Sequence, residues 1–282
     1  MLNSNAKKTA LKALKSAAQD YESVFGRVKY KSEQLYNQRC ETANQIIQAC
    51  ENYINTLANS PKEFDKSVAE FKAEYRRFTE LAREVEFEAR KHEQVSGSVA
   101  GAGVAAGAGV AAFGPTAAMA IATTFGTAST GTAISALSGA AATNAALAWL
   151  GGGALAAGGG GMAAGSTLLA LAGPIGWAIG GVAIAGSALY ANHTNAETAQ
   201  KATQETVKIK AATSQLSAAE QEVDRLSRLT QQHADGILQQ LKTLTKSAPK
   251  NYWQFSSSQK ETLAALINNV QSLSKLLNHK IA

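Results

Sequence analysis

From Leu11 onward, apolar or small residues recur at alternating steps of three and four: Leu11, Leu14, Ala18, Tyr21, Phe25, Val28, Ser32 and Leu35. Ile46, Ala49 and Tyr53 resume the series after a polar break at Arg39 and Thr42. That spacing is a heptad seam, and it predicts a helix from about Leu11 to Leu57, roughly 70 Å long at 1.5 Å per residue. Ser60, Pro61 and Glu63 then read as an N-cap, a first helical position and the acceptor of a capping box. Phe64, Val68, Phe71, Tyr75, Phe78, Ala82 and Val85 mark a second helix able to pack antiparallel on the first. Four aromatics on that stripe read as core, because their period is helical and they face an equivalent stripe.

The same spacing returns near the other end of the chain. Ile209, Ala212, Leu216, Ala219, Val223, Leu226, Thr230, His233, Ile237, Leu241 and Leu244 share one helical face. Pro249 and the stretch 251–257 interrupt it, Ser258 and Glu261 suggest a second capping box, and Leu263, Leu266, Val270, Leu273, Leu277 and Ile281 mark a last amphipathic helix. Tyr252, Trp253 and Phe255 fall in the connection, as a membrane-interface anchor or as a loop folded back on the helices.

Charge changes this picture. Every one of the 27 Lys plus Arg and 21 Asp plus Glu lies in residues 1–93 or 197–282, whereas residues 94–196 carry none. That uncharged window holds 33 alanines and 22 of the 24 glycines. The expected architecture is therefore all-α: N-terminal antiparallel coiled-coil helices over 1–93, a Gly/Ala-rich apolar helical-hairpin region over 94–196, and C-terminal coiled-coil helices over 197–282, together an elongated bundle. Pro115, Gly151–Gly153, Gly158–Gly161 and Gly173-Pro174 divide the window into candidate helices at 99–113, 116–125, 133–150, 162–171 and 175–191.

Glycine costs about 1 kcal/mol per helical position relative to alanine, so the window needs a compensating interaction. Its spacing suggests one. Gly97 to Gly101, Gly103 to Gly107 and Gly176 to Gly180 are four-residue steps, and Gly153, Ala157, Gly161 and Gly165 make a continuous small-residue ridge. Such ridges let helix backbones approach closely in lipid, where no hydrophobic drive joins helices. The alternatives are a core buried beneath the flanking helices and a low-complexity linker; Trp149, Leu150, Ile175, Trp177 and Ile179 would be exposed liabilities in a linker. Trp149 and Trp177 are candidate membrane-interface residues. Basic residues on both sides of the window, with Arg83, Arg90 and Lys91 before it and Lys201 after it, favour both flanks on one side of a membrane and an even number of crossings.

Other chemistry is sparse. Cys40 and Cys50, ten residues apart on one helix, cannot bridge. Residues 1–21 carry four lysines without a continuous apolar core and do not read as a secretory signal, so a form in the cytoplasm, or released without such a signal, is expected, membrane-associated when active. The net charge of +6, with no basic cluster beyond Arg76-Arg77 and Arg90-Lys91, argues only weakly for nucleic acid, and no nucleic-acid partner is expected. The glycines at 101, 103, 107 and 109 follow a charged helix rather than a strand, and no Gly-Lys-Ser/Thr accompanies them. His92, His193, His233 and His279 are scattered without ligand spacing. No enzyme, cofactor or metal is expected.

As a layout, two long N-terminal helices, a central apolar hairpin region and long C-terminal helices, the chain resembles the α-helical pore-forming toxins of the haemolysin E and tripartite enterotoxin type. Residues 130–165 are also similar to a glycine-rich segment that recurs in uncharacterised bacterial proteins. The toxin resemblance implies a soluble form that shields the window, a lipid membrane as partner, and oligomerisation with itself or a partner component into a pore. The competing readings are a coiled-coil scaffold, membrane-associated or tape-measure-like, and a regulatory partner of an enzyme.

Overall fold

A computed structural model describes residues 4–96, 119–121, 123–125 and 195–281. Among these residues the fold is all-α, with two isolated bridges and no strand. Helix α1 spans Ser4–Thr56, α2 Lys62–Ser96, α3 Asn195–Ser247 and α4 Ser257–Leu277. At 53 residues each, α1 and α3 run about 80 Å.

Cross-helix partners give the direction of every pair. Arg27 with Glu220, Lys31 with Asp224 and Gln38 with Gln231 all keep an offset of 193 residues, so α1 and α3 lie parallel. Helix α2 returns antiparallel to α1, with Tyr53 against Phe64, Lys72 paired to Glu51 and Tyr36 stacked on Phe78. Helix α4 runs antiparallel to α3 and parallel to α2, where Gln271 bonds Ser67 and Asn278 bonds Glu74. Two hairpins thus pack side by side, and α1 has a long parallel neighbour in α3 besides the antiparallel one expected in α2.

The turns of the two hairpins are fastened together. Ala58 N–H donates to the Lys250 carbonyl at 2.7 Å and Tyr252 N–H to the Ala58 carbonyl at 3.0 Å. Asn59 has φ 54, a left-handed conformation that asparagine tolerates, and its side chain bonds Asn251. Phe255 is buried and Tyr252 half-buried, folded onto the helices, while Trp253 is 75 % exposed.

Both capping boxes differ from expectation. Ser60 Oγ donates to the Asp65 carboxylate, and no hydrogen bond joins Ser60 to Glu63. At α4 the box is Ser256 with Gln259, two residues before Ser258 and Glu261. Gln259 prevails because its amide does two jobs: Oε1 accepts from Ser256 N–H, and Nε2 donates to the Ser247 carbonyl ending α3. A glutamate has no donor for that carbonyl.

The core has two storeys. The lower one contains Ile46, Phe64, Phe71, Phe78, Ile237 and Leu266, drawn from all four helices. In the upper one, past the end of α4, Val28 and Leu35 of α1 and Leu216 and Leu226 of α3 meet Met119, Ile121 and Phe125 of the uncharged window. His233 is half-buried and leaves its expected place on the seam to Ala234.

Candidate functional site

The place where the window meets the bundle is also where the most unusual electrostatics lie. Residues 119–121 and 123–124 are helical, within the helix expected over 116–125, and Phe125 N–H still bonds the Ile121 carbonyl at 3.0 Å. Met119, Ala120, Ile121 and Phe125 are buried, Phe125 at 0 % exposure. Burying apolar side chains the size of Met119, Ile121 and Phe125 contributes about 1.5–3 kcal/mol each, more than a neutral hydrogen bond and comparable with one to a charged group. Tyr36 bridges the storeys: its ring stacks on Phe78 and its hydroxyl lies 3.9 Å from Met119 Sδ. Burial pushes the Tyr36 phenol up, so it stays a neutral donor.

The last turn of that helical stretch offers its carbonyls to the residues after α4. Ile281 N–H donates to the Thr124 carbonyl at 2.8 Å, and Ile281 bridges to Phe125. Lys280 Nζ donates to the Thr123 carbonyl at 2.6 Å. Arg39, 1 % exposed in mid-α1, donates from Nη1 to the same carbonyl at 3.4 Å and from Nη2 to the His279 carbonyl at 3.1 Å. Two cations therefore cap the carbonyl end of the window's helical stretch, and Arg39 also holds the strap after α4, an arrangement that terminal carbonyls favour. Asn278 anchors the start of this strap by donating to the Glu74 carbonyl and carboxylate of α2.

Capping does not fully compensate the burial. Burial pushes the Arg39 guanidinium down to about 10, and burial followed by the Arg39 charge pushes the Lys280 ammonium down to about 7. Lys280 released from the junction would hold its proton up to its ordinary 10.5, whereas the docked residue gives it up near 7. The released state thus binds the extra proton only between those values, so docking strengthens as pH rises through that window and is level below it. The expected slope is about 1.4 kcal/mol per pH unit. Hydrogen exchange at residues 119–125 should slow from pH 7 to pH 9, after correction for intrinsic rates, and Lys280→Met should flatten the profile; an unchanged profile in the variant would assign the slope to another group.

The window residues singled out by sequence, Gly97, Gly101, Gly103, Gly107, Gly153, Ala157, Gly161, Gly165, Gly176, Gly180, Trp149 and Trp177, lie outside the described residues. Arg39 and Lys280 were not among them. For Arg39 a signal existed, since Leu35, Arg39, Thr42 and Ile46 continue the four-three-four spacing without a break. Arg39 and Thr42 are accordingly buried on the seam rather than interrupting it.

Elsewhere, an open polar cleft between α3 and α4 is lined by His233, Asp235, Gln239 and Asn269, with His233 Nδ1 3.3 Å from Asn269 Oδ1. Among the described residues no group of three or more His, Cys, Asp or Glu is placed to hold a metal ion, and no helix is long and apolar enough to cross a membrane. Cys40 and Cys50 are free thiols. No family model, curated protein or solved structure matches the chain.

Proposed function

We propose that this chain is a membrane-permeabilising, pore-forming α-helical protein. In this reading an elongated coiled-coil bundle stows a central Gly/Ala-rich hairpin region, which inserts into lipid on release and oligomerises along its small-residue ridges. The observation that carries it is the upper storey of the core: residues 119–121 and 123–125 of the charge-free window are buried, with Met119, Ile121 and Phe125 packed against α1 and α3 where α4 stops. A segment with no charged residue in 103 positions is costly to expose to water, and the bundle gives part of it an apolar seat. Since no described helix is apolar enough to span a bilayer, insertion falls to the window in this reading. Alanine and glycine supply little transfer energy, so one copy inserts weakly and assembly carries the effect.

Flotation with liposomes followed by release of an entrapped dye is the test. The expected result is co-flotation together with leakage that rises more steeply than linearly with protein concentration. Flotation without leakage at any concentration favours an anchored scaffold, and failure to float excludes both membrane readings.

A further inference from the structure

Among the described residues, the positive charge at the junction has no carboxylate paired to it. Arg39 Nη1 and Lys280 Nζ reach the same Thr123 oxygen at 3.4 and 2.6 Å, so the two cationic atoms lie within about 6 Å of each other. Among the described residues neither forms an ion pair; Glu74 is engaged with Asn278 and Arg77, and Glu222 with Arg225. Like charges this close and this dry repel, and neutral carbonyls answer them only in part. Two further donors of the junction are buried with no hydrogen-bond partner, Arg39 Nε and Thr124 Oγ1. An orphaned guanidinium N–H in the interior forfeits a strong charge-assisted bond, so its retention beside a second cation calls for an acceptor.

The chemistry of that acceptor follows from the donors. A guanidinium edge grips two oxygens of one oxyanion, an ammonium adds a point charge, and a hydroxyl turns to whichever oxygen remains. Lys280 is half-buried next to exposed His279, so the site has a surface edge, and the four-carbon lysine stem can re-aim its ammonium there. We propose that Arg39, Lys280 and Thr124 form a binding site for a phosphate-class oxyanion, entered from the Lys280 edge of the strap that follows α4. The oxyanion is either free phosphate or the phosphate of an anionic lipid headgroup. Its binding competes with the Thr123 carbonyl for both cations, and so bears directly on how firmly the window is docked. The headgroup form rests on the membrane reading above; the free-phosphate form does not.

The full chain is titrated calorimetrically with inorganic phosphate at constant ionic strength. In a phosphate-free buffer it is also floated with phosphatidylglycerol or phosphatidylcholine vesicles. The variants are Lys280→Met and Thr124→Val, both away from the lower storey, with circular dichroism confirming that they fold. Saturable phosphate binding, weakened at least tenfold in both variants, supports the site with a free anion. Selective flotation with phosphatidylglycerol, lost in both variants and without phosphate binding, supports it with a headgroup. Absence of both signals from the unsubstituted chain, or equal signals in the variants, overturns the site. Variant-sensitive binding without dye leakage leaves the site standing and overturns the permeabilising reading.

Discussion

Leakage from liposomes should fall at least about tenfold when Gly161 and Gly165 are both replaced by leucine. The two glycines continue the ridge that begins at Gly153 and Ala157, and along such a ridge helix backbones approach closely enough for extensive van der Waals contact. An isobutyl group at two successive positions holds the partner helix away and removes that contact in every copy of an assembly. Transfer energy acts in the opposite direction, since each leucine favours the bilayer interior by about 0.5 kcal/mol. Flotation should therefore persist or improve while leakage is lost. That opposition separates assembly from insertion, and undiminished leakage in the double variant would sink the ridge mechanism.

The second large effect is on stability. Phe78→Ala should destabilise the folded chain by about 3–5 kcal/mol, the range for removing a fully buried phenylalanine. Phe78 is wholly buried and its ring lies 5.5 Å from that of Tyr36, whose hydroxyl reaches Met119. Against the 5–15 kcal/mol typical of whole domains, this is about a fifth or more of the stability. Urea unfolding followed by circular dichroism measures the loss, and exchange at residues 119–125 should quicken in parallel because Tyr36 has lost its lower support. A change below about 1 kcal/mol would mean that the aromatic stack does not hold the storeys together.

Helix existence and the core-facing stripes were legible from period alone: Phe64, Phe71, Phe78, Leu226 and Leu266 are buried where the spacing puts them. Pair direction was less so, because a heptad stripe says which face is buried and not whether the partner runs with it or against it. The parallel α1 and α3 pairing depends on residues 193 apart, beyond the reach of any local pattern. Cap positions shifted by two residues at α4 because Ser256, Ser257 and Ser258 are equivalent as letters, and only the carbonyl of Ser247 distinguishes them. Lys280 gave no signal at all: the spacing carries the last helix on to Ile281, where a lysine one position earlier reads as a solvated face, whereas α4 ends at Leu277 and Ile281 bridges to Phe125. The window's own residues give composition and ridge spacing, whereas the seat that receives 119–125 is built from side chains of α1, α2 and α3.

The constant offset of 193 persists from Arg27 with Glu220 to Ala58 with Asn251 in the turns. Each residue on a helix advances the azimuth by about 100°, so one inserted residue in α1 between Lys31 and Gln38 would turn every later side chain off the seam and dissociate the Ala58 bridge. Only a matching insertion at the same height of α3 would make the offset constant again. Lengths of α1 and α3 are thus bound to each other residue for residue, while the stretch joining Phe125 to Asn195 enters no such count. Related chains should vary in length there and keep the separation from Arg27 to Ala58 equal to that from Glu220 to Asn251.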